Sequence, residues 1–271
     1  MPTAKANSAT VAPHQYMSAP RARYLKEHAK ITRFLQFIVA STIDLDDAVR
    51  EVVKLRRRSG HILESPRPKE LVLGAGATRK LSIFYSLLTE MALCCTVDNF
   101  FTYLTELLSL VFSSRPETLR SGDQVRLDFV LAHRTRASPI KAIVDRQVNQ
   151  LSYQGMEDLA QFLSKRLKFK LFPDDVSLNR AILLVETRNI IVHARGIAND
   201  TFLRRVASSP VSPHSRIRLT IRDVESHSEF LAKSVANIEA QAHDQFGVKL
   251  PYKVPTPLGC KRPKLETRRL R

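Results

Sequence analysis

Residues 79–113, RKLSIFYSLLTEMALCCTVDNFFTYLTELLSLVFS, form the longest apolar-periodic segment of the chain and decide its fold class. Leu81, Phe84, Leu88, Leu93, Phe100, Leu104, Leu107 and Val111 recur close to the three-to-four-residue interval of an α-helix, which predicts one long helix. The same period precedes it: from Arg23 on, Leu25, Ile31, Leu35 and Ile38 are followed by Val49, Val52 and Val53. A Pro- and Gly-bearing stretch from Ser59 to Gly76 separates the two. Shorter helical segments are expected at about 123–135, 139–151 and 155–169, with Pro139 suited to a helix start. Phe172-Pro173-Asp174-Asp175 reads as a loop into a further helix over about 176–194.

One segment departs from this period. Arg216-Ile217-Arg218-Leu219-Thr220-Ile221-Arg222 alternates apolar and polar residues, which predicts a short strand or extended arm near 216–222. Asp223 then reads as the N-cap of a last helix carrying Leu231, Val235, Ile238 and Ala242. The sequence holds no internal repeat. The expected fold class is therefore all-α, a helical bundle over residues 23–246. It is flanked by a disordered Ala-, Ser-, Thr- and Pro-rich segment, 1–22, and a basic Pro-containing tail, 247–271.

Composition narrows the class. Of 271 residues, 44% are hydrophobic and 25% charged, a globular balance that excludes a wholly disordered chain. No uninterrupted apolar run approaches the roughly 18–20 residues that span a bilayer, so no membrane partner is expected. Met1 to Pro20 has no apolar core of the signal-peptide kind, and three cysteines, two of them adjacent (Cys94, Cys95), build no disulfide framework. A cytoplasmic location is expected, with Cys94 and Cys95 as small core residues.

The net charge is +17 and unevenly placed. Lys249 to Arg271 holds eight basic residues and one acid; 54–80 holds eight and two, centred on Arg56-Arg57-Arg58; Thr201 to Arg222 holds five arginines and no acid. Such patches neutralise phosphates and give salt-dependent affinity for nucleic acid. Gly74-Ala75-Gly76-Ala77-Thr78-Arg79 lacks both the third glycine of a dinucleotide loop and the Gly-Lys-Ser/Thr of a P-loop. The eight histidines do not cluster at metal-ligand spacing, so no metal and no cofactor are expected.

The stretch richest in chemistry is Val185-Glu186-Thr187-Arg188-Asn189-Ile190-Ile191-Val192-His193-Ala194-Arg195-Gly196. At about 100° per residue Glu186, Asn189 and His193 share one helix face, while Arg188 projects between Leu184 and Ile191 on an apolar side. An arginine there needs a partner, a route to solvent, or a second surface. Gly196 supplies a helix stop, and His193 stands in the last turn, at the negative end of the helix dipole. An imidazole that assists proton transfer from a ribose 2′-hydroxyl and a guanidinium that holds the adjacent phosphate suit RNA cleavage. From residue types alone, the stretch better describes a core histidine and an arginine ion-paired to a carboxylate such as Glu186.

This stretch resembles the HEPN superfamily, helical proteins whose ribonuclease motif is Arg, four to six residues, then His. Arg188, Asn189 and His193 match it as Arg-Asn-x-x-x-His. Ala194-Arg195-Gly196-Ile197 is similar to the motif end of the RiboL-PSP-HEPN-like branch, where Asn often stands at the Ala194 position. More loosely the resemblance extends from Lys80 to Phe246, with Asp98-Asn99-Phe100 as an acidic residue before an aromatic and Pro116-Glu117 opening the next segment.

The resemblance implies an up-and-down bundle that forms a homodimer, with both motif helices lining one cleft, acting as an endoribonuclease in toxin–antitoxin, phage-defence or RNA-processing systems. The implied partners are RNA and an antitoxin or defence-system protein. In that setting His193 is the general acid/base, Arg188 the phosphate ligand and Asn189 a positioning hydrogen-bonder, with Glu186 and Asp98 supporting them. Arg195, Arg204, Arg205, Arg216 and Arg218 are the candidate RNA-binding residues. Two alternatives stay open: a catalytically inactive HEPN-like module that binds RNA or protein, and a DNA-binding or regulatory helical protein that uses its basic tail.

Overall fold

A computed structural model describes residues 15–59, 77–115, 117, 142–146, 155–206 and 211–255, and within them the chain is mostly helical. Helices α1 (Ala19–Ser59) and α2 (Ala77–Ser114) form an antiparallel pair. Three contacts set its register: Asp46 Oδ1 accepts from Ala77 N at 2.8 Å, Asn99 Nδ2 donates to Tyr24 O at 3.1 Å, and Arg23 Nε meets Glu106 at 3.0 Å. A helical stretch at 142–146 follows, with Val144 buried. Next come α3 (Met156–Leu167), α4 (Asp175–Ala194), the single-turn-and-a-half α5 (Asp200–Arg205) and α6 (Ile221–Phe246).

α2 is the central helix, packed by α1, α4 and α6. Its apolar period places Leu93, Phe100, Tyr103, Leu107 and Phe112 in the core, where they meet Leu163 of α3, Leu184 of α4, and Val235 and Ile238 of α6. Each such side chain contributes about 1.5–3 kcal/mol on burial. Two polar contacts fix α6 on α2: Ile221 N donates to Tyr85 Oη at 2.9 Å, and Tyr103 Oη donates to Val235 O at 3.2 Å. By length and composition α2, over Leu81–Ser114, is also the one described helix apolar enough to cross a membrane; a third of its most apolar window is buried within the bundle. Cys94 is half-buried and Cys95 exposed, so Cys95 is not the core residue expected. The core row of α2 passes through Ala92, Leu93, Thr96 and Val97 and leaves the two cysteines at its edge.

Both chain ends meet at one place. β1 (Tyr16–Met17) pairs antiparallel with β2 (Tyr252–Lys253), and Val254 N donates to Gln15 O at 2.9 Å. Beside this clamp the buried Glu239 of α6 accepts from Ser18 N, Ser18 Oγ and Arg21 Nη1. Residues 16–22, the end of the expected N-terminal segment, thus lie in β1 and the first turn of α1. Residues 1–14 and 256–271 lie outside the described residues, as do the expected helix at 123–135, Pro139, the Gly74-Ala75-Gly76 loop and the side chains of Arg56-Arg57-Arg58.

The segment near 216–222 differs from its period-two pattern. It makes one isolated bridge, Arg216 with Ile197, and the helix begins at Ile221, inside the expected strand. The cap is Thr220, not Asp223. Thr220 Oγ1 accepts from Asp223 N while Asp223 Oδ2 accepts from Thr220 N, a reciprocal capping box in which Asp223 is the third helical residue. Thr220 Oγ1 also donates to Asp223 Oδ2 at 2.7 Å, and this bond first and the one from Thr220 N next hold the Asp223 carboxyl below its usual range. A helix that satisfies its own first-turn amides outcompetes a strand with no neighbour to pair.

Candidate functional site

The site is built at the C-terminal half of α4. Asp174 caps this helix by accepting from Ser177 N at 2.7 Å, so its start is fixed by a local side chain. Its end is a left-handed turn, Arg195 at φ 53° and Gly196 at φ 75°, in which Gly196 N donates back to Ile190 O at 2.9 Å. A side chain at 196 would meet only ordinary contacts with Arg216 and Glu90, so the positive φ, not space, is what favours glycine here. Between these ends α4 buries Ala181, Leu184, Val185, Glu186 and Ile190 and turns Val192 and His193 to solvent.

A second, smaller core locks a flap onto the end of α4. Ile190, Ala198, Phe202, Val206 and Ile217 cluster together, and residues 196–198 pair with 214–217 through Ile217 N to Gly196 O (2.8 Å), His214 N to Ala198 O and Ala198 N to Ser215 O (both 3.0 Å). The flap carries α5, capped by Asn199, whose Oδ1 accepts from Phe202 N at 2.9 Å. This helix was not foreseen in the sequence; Asn199-Asp200 before an apolar residue is the signal that marks it. The flap carries Arg204, Arg205, Arg216 and Arg218, and two of them reach neighbouring helices, Arg205 to Glu186 of α4 and Arg216 to Glu90 of α2.

Arg188 does not pair with Glu186. Its Nε donates to Asp98 Oδ1 on α2 at 3.0 Å and its Nη1 to Asn189 Oδ1 at 3.4 Å. Arg188 is 28% and Asp98 53% exposed, so this is a pair at the molecular surface, with Nη2 carrying no bond among the described residues. Glu186 instead is buried and accepts from Arg205 Nη1 of α5 at 2.9 Å, which ties the flap to α4. Glu186, expected to support the motif, therefore points away from Arg188 toward the flap: one residue position is 100° of helix rotation, and two separate their faces.

A third arginine repeats the arrangement. Arg216 Nη2 reaches the buried Glu90 of α2 at 3.0 Å, packing across Gly196. Glu90, Cys94 and Asp98 follow one another at four-residue intervals, so one row of α2 holds both Arg216 and Arg188. Cys94 lies between them; burial first and the Asp98 carboxylate next push its thiol up to about 11, against the pull of Arg188, so it stays protonated at neutral pH. Glu90 was not singled out in the sequence. It lies 126 residues from Arg216, and no local pattern announces such a pair.

His193 stands on the last turn of α4, exposed and without a hydrogen bond among the described residues, and so is no core histidine. Arg195 and Arg218 are likewise exposed, and Arg204 bonds Thr201 Oγ1 at 3.3 Å within α5. The structure thus joins Arg188, Asn189 and Asp98 directly, places His193 five residues on along the same helix, about 7.5 Å of rise, and leaves Arg195 and Arg218 exposed. Among the described residues no three His, Cys, Asp or Glu side chains gather where they could hold a metal. No family model matches the chain, and no curated protein or solved structure matches it.

Proposed function

We propose that the chain is a HEPN-like, metal-independent endoribonuclease. The observation that carries this is Arg188: its guanidinium is held by Asp98 and Asn189, partly exposed and with Nη2 unbonded among the described residues, on the helix whose last turn bears the exposed His193. A guanidinium fixed in this way offers two parallel N–H donors to a phosphate without having to be ordered on binding. His193 takes the proton from the ribose 2′-hydroxyl as that oxygen attacks the adjacent phosphorus. The bond from phosphorus to the 5′-oxygen breaks, that oxygen takes up the proton that His193 accepted, which restores the neutral imidazole, and the products are a 2′,3′-cyclic phosphate and a 5′-hydroxyl. Arg188 stabilises the negative charge that develops on the phosphate. Arg195, Arg204, Arg205, Arg216 and Arg218 supply sequence-independent attraction for the backbone.

The site acts in a homodimer of the HEPN bundle type. Phe84, Leu87 and Met91 are exposed on α2 and lead at helical spacing toward Asp98, and Val192 is exposed beside His193; together they give a second copy an apolar footing next to the motif. The setting is a toxin–antitoxin or phage-defence system. A second reading, a catalytically inactive HEPN-like module that binds RNA or a protein, is favoured by one feature: among the described residues His193 has no orienting partner of the kind that usually aligns a catalytic imidazole.

The test is incubation of mixed RNAs with the wild type, Arg188→Ala and His193→Ala in EDTA. Cleavage by the wild type alone, with 2′,3′-cyclic phosphate ends, is expected. Loss of all cleavage in EDTA sinks the metal-independent mechanism, and equal cleavage by the three proteins sinks the assignment of the site.

A further inference from the structure

Arg216 is fixed at both ends of its side chain. Its backbone lies within the pairing of 196–198 with 214–217: Ala198 N donates to Ser215 O at 3.0 Å and Ile217 N to Gly196 O at 2.8 Å, one residue to either side. Ile217 is buried in the core of the flap, which holds this stretch against the end of α4. At the other end Nη2 donates to both oxygens of Glu90, at 3.0 and 3.3 Å. Glu90 is buried and accepts from Ser86 Oγ at 2.7 Å, so the carboxylate has an orientation of its own to impose. More than half of the Arg216 side chain is nevertheless open to solvent, and its Nε and Nη1 carry no bond among the described residues. A guanidinium held on one edge and open on the other is an anion ligand that need not be ordered on binding.

The place of Arg216 relative to the motif says which anion it meets. A side chain built on Gly196 would come 3.7 Å from Arg216 Nε, so the guanidinium stem lies over the turn that ends α4. Gly196 follows His193 by three residues, and Arg188 precedes His193 by five. The carboxylates that hold the two arginines, Asp98 and Glu90, are eight residues apart on α2, about 12 Å of helix. A single phosphate is too small to bridge that gap, whereas two nucleotide steps of one strand cover it. Arg205 is also held by a buried carboxylate, but on another face of α4: Glu186 stands two residues, or about 200° of helix, from Arg188. Arg195 beside Gly196 and Arg218 two residues past Arg216 are both exposed, so three positive charges stand against the one carboxylate of Glu90.

We propose that Arg216, positioned by Glu90, is a second phosphate subsite, and that it takes the phosphate two steps along the RNA strand from the one held by Arg188. The proposal rests on the ribonuclease reading for the identity of the strand and of the bond cut. Arg188 marks that bond; Arg216 sets the length of strand the site requires and holds it in register.

The test uses the full chain and nine-nucleotide strands that are 2′-O-methylated except at one central ribonucleotide, so that cleavage fixes the register. One phosphate at a time is replaced by an uncharged methylphosphonate. In the wild type KM is expected to rise at least tenfold for the replacement two steps from the scissile phosphate, on one side of it, and less than threefold for the replacement one step away. Arg216→Ala should show that raised KM with the all-phosphate strand, and the same replacement should then raise it less than twofold further. Arg216→Lys, which keeps the charge without the fork, should fall between, and Arg205→Ala should retain the tenfold penalty. Circular dichroism establishes that the variants are folded, and the methylphosphonate series on the wild type needs no variant. Equal penalties at all flanking phosphates, or a penalty at the second position that persists in Arg216→Ala, overturn the proposal. Absence of any cleavage overturns the ribonuclease reading instead, and the subsite is then decided by anisotropy with fully 2′-O-methylated strands lengthened one phosphate at a time. Wild-type affinity should step up at least tenfold on addition of the third phosphate, and Arg216→Ala should lack that step; no step, or the same step in both proteins, overturns the subsite.

Discussion

Replacing Asp98 separates what holds Arg188 from what Arg188 does. The two side chains meet at 3.0 Å, 28% and 53% exposed. An ion pair so open to water contributes about 0.2–1 kcal/mol to stability. For a chain of this size, about 2–4 °C of melting temperature corresponds to each kcal/mol, so Asp98→Ala should lower Tm by no more than about 4 °C. Its effect on cleavage should be larger. Without Asp98 the guanidinium keeps only the 3.4 Å contact to Asn189, and a misplaced phosphate ligand costs orientation at the transition state. A loss of about 1.4 kcal/mol there is a tenfold fall in kcat.

Asp98→Asn distinguishes position from charge. Its amide oxygen can still accept from Nε, so kcat should fall less than in Asp98→Ala, while removal of a carboxylate that competes with phosphate for Arg188 should lower KM. Arg188→Ala sets the floor, about 10²–10³ below wild type, as for the loss of one transition-state donor. Cleavage of a labelled RNA oligonucleotide over a range of concentrations, with calorimetry on the same preparations, reads all these quantities. Wild-type kcat in Asp98→Ala would refute the positioning role. A fall in kcat accompanied by more than about 3 kcal/mol of lost stability would make Asp98 structural.

Two further predictions concern the scaffold. Glu239→Ala leaves Arg21 buried beside an empty position, and takes the acceptor away from both Ser18 N and the Ser18 hydroxyl; breaking a buried pair in this way costs about 3–5 kcal/mol, and a fall in Tm of about 6 °C or more is expected in calorimetry. Burial lowers the pKa values of His28, which bonds Ser228 at 3.0 Å, and of His227, which Arg180 lowers further. Below the unfolded value of about 6.5 the unfolded chain then binds more protons than the folded one, so stability should be full above that pH and decline as pH falls toward the folded values. Melting curves from pH 7.5 to 5.0 test this, and a Tm that rises on acidification would contradict it.

The sequence by itself determined the helical class, because a three-to-four-residue apolar period is a local property that needs no knowledge of neighbours. It determined the ends of α4 as well: Asp174 before the helix and Gly196 after it act through bonds within a few residues. It brought out Arg188, Asn189 and His193 because one helix carries all three. It carried the extended segment near 216–222 too far: Arg216 bridges Ile197 and 217–220 lie outside any helix, but the capping box at Thr220 makes Ile221 and Arg222 helical.

What only the tertiary structure decided is which carboxylate holds which arginine. Asp98 holds Arg188 across 90 residues, Glu90 holds Arg216 across 126, and Glu186 turns from the motif to Arg205 on the flap. No local pattern encodes these pairs, since an ion pair depends on where helices cross and the crossing is set by the packed core. α1 shows the same division. Its apolar period is written in the chain, but that Leu35 is core and Phe34 surface was settled only when α1 packed against α2.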